Sequence, residues 1–397
     1  MHKEEKLQGI PVRGQGSTHS ALGSPGLLFI HNTLPEFRVC FFEGLSDKYP
    51  TRFLITHPNL ASDIYGSDGN SQNSLNIRFL NCSLTERLKA IKQEIEKDGI
   101  SKIIMPPADS IQEIIEGLYA LRAAEKRGLD VYTWTEKWEA PISEQSLKKR
   151  IKNAAHRLIL TRYAKAAKRV IVFGSKAKEY MLDGGISENK IRVSYMMSLP
   201  PACNSEVNIR KMYGISDDKK IIFNLARMIP RKGLDVLIDA VRIINKKHND
   251  FVLLVGGDGS MKPVIESKIK EYRLDNVILA GYVDASIRTK YYEQSDLFVL
   301  PSKYYKGMID GWGLPVNEAL LCGTPVVATT CEGSAYDLLD GTNGVMVEQN
   351  NAEALADGIE HMLYDVSRED AKAACIRTDE KFSLENMVTS FIDAITE

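Results

Sequence analysis

The chain has 397 residues, 44% of them apolar and 26% charged, with 51 Lys+Arg against 52 Asp+Glu. That length and balance predict a soluble globular protein of two domains and exclude wholesale disorder or a fibrous repeat. No apolar run reaches the ~20 residues that cross a bilayer, and Met1 to Ser24 lacks the apolar stretch of a secretory signal, so the expectation is a chain neither spanning nor secreted.

In chain order, residues 1–24 are polar and Gly/Ser-rich and read as a disordered tail. Short apolar runs then alternate with amphipathic stretches, the pattern of parallel sheets covered by helices. Predicted strands are Leu27–His31, Arg52–Thr56, Lys102–Met105, Val131–Trp134 and Val170–Phe173, with helices around Phe37–Lys48, Leu84–Lys97 and Ile111–Arg127. Residues 1–200 carry 29 Lys+Arg against 22 Asp+Glu, and the excess is concentrated between Lys148 and Pro200. There a helix is predicted over Leu147–Arg169, with Leu147, Ile151, Ala154 and Leu158 as an apolar stripe among nine cations. Such a segment, Lys148 to Arg169, is either a solvated helix face packed on a core or a surface for an anionic membrane or acceptor. Nucleic acid is not expected, because no reader motif accompanies the charge.

Paired prolines in Ser198–Asn208 read as a linker. A second alternating series follows, with strands at Lys220–Ala226, Phe251–Gly256, Val277–Gly281, Leu297–Pro301, Pro325–Thr329 and Gly344–Val347. The expected fold class is α/β, with two Rossmann-like doubly wound domains facing a central cleft: 25–200, then 201–380, with a C-terminal helix in 381–397 that can cross back to the first domain.

Chemistry concentrates in the second half. Arg227 and Lys232 follow a strand directly and suit a diphosphate, whereas Gly257 and Gly259 in the GGDG turn let the backbone pass close to a ligand. Asp310 and Glu318 bracket a Gly-containing turn and a helix start, where the N–H groups of Gly313 and Leu314 would face an anion. The ligand this suits is a diphosphate flanked by two polyols. In the first half His31 ends a strand, and Glu136 lies in VYTWTEKWE. Six scattered cysteines without a C-x-x-C pair, and only seven histidines, predict reduced thiols and no metal site.

From about Lys220 to Leu363 the chain resembles the donor-binding domain of retaining GT-B glycosyltransferases of family 4. The resemblance rests on the R-x4-K pair, the GGDG turn, the GYV and LFVLPS strands and the carboxylate pair ahead of CGTPVVAT. It implies a hexosyltransferase that uses a nucleotide sugar, without cofactor or metal, and a glycan or lipid-linked acceptor. Arg227 and Lys232 would then hold the diphosphate, Asp310 the sugar hydroxyls and Glu318 the ribose, with Tyr282 and Val283 near the base. Asp310 stands where the family carries Glu, and the acceptor half lacks the family's histidine, leaving Glu136 and His31 as candidates. A phosphorylase or epimerase on the same plan, and a silent glycan-binding subunit, are the alternatives. The expected place is the cytoplasm, peripheral to its membrane.

Overall fold

The computed structural model describes residues 26–58, 75–108, 110–197, 199 and 206–397. The expected tail, 1–24, and most of the linker lie outside the described residues. Two parallel sheets organise the rest. The first contains β1 (Leu27–His31), β2 (Thr51–Ile55), β3 (Ile77–Phe79), β4 (Lys102–Ile104), β5 (Asp130–Thr135), β6 (Arg169–Val172) and β7 (Ile191–Val193), in the order β3-β2-β1-β4-β5-β6-β7. The second contains β8 (Lys220–Leu225), β9 (Phe251–Gly256), β10 (Val277–Gly281), β11 (Leu297–Leu300), β12 (Val326–Thr329) and β13 (Gly344–Val347), in the order β10-β9-β8-β11-β12-β13. Both orders reverse direction beside their first strand, between β1 and β4 and between β8 and β11. Crevices at such reversals, at the carboxyl ends of the strands, are where doubly wound sheets bind ligands.

The central strands form because their apolar runs are buried on both faces, as Leu27 to Ile30 and Phe251 to Val255 are. β3 and β7 escape the sequence prediction for the same reason inverted. Each is three residues long, lies at a sheet edge and carries an arginine, so neither shows an apolar run. Helix ends follow local chemistry. Ser110 and Glu113 form a capping box at the start of the helix Ile111–Arg127, and Gly128 ends it in the left-handed conformation, φ 70°.

The basic helix forms over Leu147–Ala166, but its apolar stripe does not face the core. Leu147, Ile151 and Leu158 are 73%, 64% and 70% exposed, and Ala154 is exposed beside them. Asn153, His156, Leu160 and Tyr163 are buried instead, on the face about 170° away at about 100° per residue. The inward face borders a cavity through His156, Leu160 and Tyr163 and also joins the core beneath the first sheet through Leu160 and Tyr163.

The last helix, Leu384–Thr396, packs on the first domain. Phe391 stacks on Phe29 at 5.8 Å, Tyr132 donates its hydroxyl to Ile395 O at 2.9 Å, and Ser194 Oγ donates to Met387 O at 3.1 Å. The chain therefore crosses between domains twice.

Candidate active site

β8 runs into a loop that holds Arg227 exposed and ends in a short 3-10 turn, Pro230–Lys232. This loop is laced to the glycine-rich turn after β9: Met228 N–H donates to Asp258 O and Met261 N–H to Met228 O, both at 2.8 Å. Gly257 (φ 116°) and Gly259 (φ 153°) are required by that approach, since a Cβ on Gly257 would collide with Ala226 O and one on Gly259 would lie 2.6 Å from Met228 O. The glycines thus shape the cation loop. Gly257→Ala should cost about 3 kcal/mol and displace Arg227, read as a lower urea midpoint. An unchanged midpoint would mean that the two loops separate freely.

Asp310, beyond β11, is held by both cations of the turn. Arg231 Nη1 lies 3.0 Å from Asp310 Oδ1, Lys232 Nζ is ion-paired to Oδ2, and Ser302 Oγ donates to Oδ2 at 3.3 Å. These cations overcome the cost of burial and keep the Asp310 carboxyl well below the usual carboxylate range. Lys232 is therefore divided between Asp310 and any anion entering the loop. Arg231 was not singled out in the sequence, although its adjacency to Lys232 in a tight turn is the signal that brings both to one carboxylate.

Glu318 sits in the helix Leu314–Leu321, whose start at Gly313 needs φ 84°. Its carboxylate accepts from Tyr292 OH at 3.0 Å and pairs with Arg288 at 3.3 Å, while burial raises its pKa. The glutamate predicted to meet a ribose thus already has two protein partners, neither foreseen. Leu314 is half-buried at the helix start, and beyond β10 Tyr282 is 81% exposed while Val283 is buried. Glu332, after β12, is a further buried carboxyl that the motif reading missed. It lies against Gly313, where a Cβ would collide with its Oε2.

Across the cleft, the first sheet presents a cavity of about 520 Å³ lined by His31, Arg38, Glu113, Trp134, Glu136 and Trp138, with Gly311 of the second domain at its edge. Glu136 reaches that edge, for its Cδ would lie 3.2 Å from a Cβ on Gly311. Trp138 Nε1 donates to Gly311 O at 2.8 Å, so the segment after β5 and the Asp310 loop are joined directly. His31 is buried, and burial with the adjacent Arg38 pushes its pKa well down. Among the described residues no cluster of three or more His, Cys, Asp or Glu is arranged as a metal centre. The five described cysteines are unpaired, and burial pushes Cys322, Cys331 and Cys375 up to about 12.

The geometry has counterparts among known proteins. Residues 205–378 match the family Glycosyl transferases group 1. The structure of Anabaena HepE in complex with UDP superposes with a TM-score of 0.71 at 15% identity, covering 93% of this chain and 99% of that one. The fold is GT-B. An uncharacterized glycosyltransferase of Methanocaldococcus jannaschii is 28% identical over 185 residues, 45% of this chain and 46% of that protein. The GDP-mannose-dependent alpha-(1-6)-phosphatidylinositol monomannoside mannosyltransferase of Mycolicibacterium smegmatis is 24% identical over 231 residues, 57% and 58% of the two chains. The chain spans about half the length of these curated relatives. Within the GT-B frame, the family match covers the domain that carries Arg227, Lys232, Asp310 and Glu318.

Proposed function

We propose that the protein is a retaining glycosyltransferase that moves a hexose-type sugar from a nucleotide sugar to a glycan or lipid-linked acceptor, in surface polysaccharide or glycoconjugate synthesis. One observation carries the reading: at the carboxyl ends of the second sheet Lys232 is ion-paired to Asp310 beside the cavity of the first, and Arg227 and Glu318 lie on the loop after β8 and the helix after β11. Relatives and neighbours whose names specify GDP-mannose or UDP support a nucleotide-sugar donor and leave the base open.

In the proposed reaction the acceptor hydroxyl attacks the anomeric carbon on the face the diphosphate leaves. The carbon–oxygen bond to phosphate breaks, the new glycosidic bond forms, and the hydroxyl proton passes to the departing phosphate oxygen. Arg227 and Lys232 stabilise the developing diphosphate charge, and with the helix end at Gly313 and Leu314 they supply what a metal would otherwise provide. Asp310 receives sugar hydroxyls, Glu318 the ribose, and the exposed ring of Tyr282 stacks on the base. The cavity holds the acceptor, with Glu136 and Trp138 at the edge of the second domain and His31 in its lining. Purified protein incubated with UDP-glucose, UDP-N-acetylglucosamine and GDP-mannose should release nucleoside diphosphate from one of them; release from none would refute the reading.

The basic helix supports a cytoplasmic enzyme lying on an anionic membrane face. Among the described residues no helix is long and apolar enough to cross a membrane. The helix Leu147–Ala166 instead exposes Leu147, Ile151 and Leu158 beside the exposed Lys148, Arg150, Lys152 and Lys165, while its opposite face lines the acceptor cavity through His156, Leu160 and Tyr163. An interfacial helix in that position would bring the cavity to a lipid-linked acceptor. Each cation near the surface contributes about 1 kcal/mol. Flotation with anionic vesicles should therefore retain the protein at low salt and lose it when Ile151 and Leu158 become Ser; equal retention on neutral vesicles would refute the membrane role.

A further inference from the structure

Glu332 is completely buried at the carboxyl end of β12, and nothing in the proposed mechanism uses it. The main chain fixes it beside Asp310. The two residues form an isolated parallel bridge, with Asp310 N–H donating to Cys331 O at 3.2 Å and Gly333 N–H donating to Asp310 O at 3.3 Å. On its other side Glu332 fills the space that a Cβ of Gly313 would take. Both of its carboxyl oxygens are buried, with the Asp310 carboxylate and the single hydroxyl of Ser302 beside them. An ionised carboxylate in that state is costly, whereas the neutral acid carries a proton that the adjacent Asp310 carboxylate can accept.

We propose that Glu332 is a positioning residue of the donor site: its carboxyl donates a hydrogen bond to Asp310 and aims that carboxylate at the donor sugar's hydroxyls. The proposal rests on the donor-site reading given above. Asp310 alone cannot hold this arrangement. Its two cations pull it toward the turn Pro230–Lys232, and a hydrogen bond from the β12 side opposes that pull.

The charged and titratable groups facing Glu332 are Asp310, Lys232, Arg231 and the Cys331 thiol. Burial and the Asp310 charge push the Glu332 carboxyl well up, against the pull of Lys232. When Glu332 ionises at high pH, it repels Asp310 and competes for Lys232, so turnover should decline on the alkaline side. The stability sign agrees with this. Between the ordinary glutamate value of about 4.3 and the raised folded value, the folded state binds more protons than the unfolded state, so stability falls as pH rises through that window. A glutamine at 332 has no such term, and its melting temperature should gain on wild type as pH rises from about 5 to 8.

The test uses the full chain with the nucleotide sugar that it hydrolyses, across a pH series. Glu332→Leu should lower turnover about 30-fold, and Glu332→Gln, whose amide keeps a donor toward Asp310, should restore most of that and remove the alkaline decline. A Leu variant with wild-type turnover, or a Gln variant with the wild-type alkaline decline, would overturn the proposal. If the Leu variant does not fold, the Gln pH profile and melting series decide by themselves. Binding of UDP and GDP to wild type separates the two levels: with binding intact, an unmoved pH profile refutes the role of Glu332 alone, and absence of binding refutes the donor site and this proposal with it.

Discussion

Lys232→Ala should reduce turnover by two to three orders of magnitude, the loss that follows removal of one preorganised charge from a developing anion. The fold should survive. Asp310 keeps Arg231 at 3.0 Å and Ser302 at 3.3 Å, so no buried charge is left alone. The melting transition should shift by a few degrees at most, while nucleoside diphosphate release from the donor nearly stops. Arg227→Ala should act in the same direction by about one order less, because Arg227 is exposed and its interaction is screened by water. A Lys232→Ala protein with turnover within about threefold of wild type would remove the lysine from the leaving-group role.

The second large effect separates the two carboxylates. Asp310→Asn should lower turnover about a hundredfold without weakening the bare nucleoside diphosphate, and that affinity should rise if anything, since Lys232 is released from its ion pair. Asn is the informative replacement: Ala would leave Arg231 and Lys232 facing an empty site. Glu318→Gln should do the reverse. It removes the charge that Tyr292 and Arg288 orient, and it should weaken nucleoside diphosphate binding about tenfold, with a smaller effect on turnover at saturation. Calorimetry with the diphosphate and steady-state rates with the donor distinguish the two. Equal loss of diphosphate affinity in both variants would contradict the division of labour.

The fold was legible where burial on both sheet faces writes a continuous apolar run. β1 and β9, buried throughout, fall on their predicted residues, as do the edge strands β10 and β13 through their apolar sequences, and β8, β11 and β12 differ by one residue at one end. It was illegible at the margins of the first sheet, where β3 and β7 are three residues long and interrupted by an arginine. Periodicity located the basic helix but not its orientation. A stripe of Leu147, Ile151 and Leu158 marks a face that avoids water only if something covers it, and sequence does not say whether that cover is the protein core or an outside surface.

The candidate site was legible as residue types on strand-end loops, because parallel topology sends those loops to one cleft. Its internal pairing was not. Arg231 reaches Asp310 only because of a 3-10 turn, and Tyr292 and Arg288 reach Glu318 from a helix some 26 to 30 residues upstream. Glu332 carries no motif at all, and only the bridge between the loops after β11 and β12 brings it to Asp310. The meaning of the glycines also shifted. Gly257 and Gly259 serve chain-to-chain approach at Ala226 and Met228, and their effect on a ligand runs through the Arg227 loop.

The loop after β8 is proposed as the diphosphate site. Titration calorimetry of UDP and GDP into the wild-type protein and into Lys232→Ala tests it most directly. One of the two nucleotides should bind wild type with one-to-one stoichiometry and bind the variant at least tenfold more weakly. Failure of both to bind wild type, or equal affinity for the variant, would contradict the account.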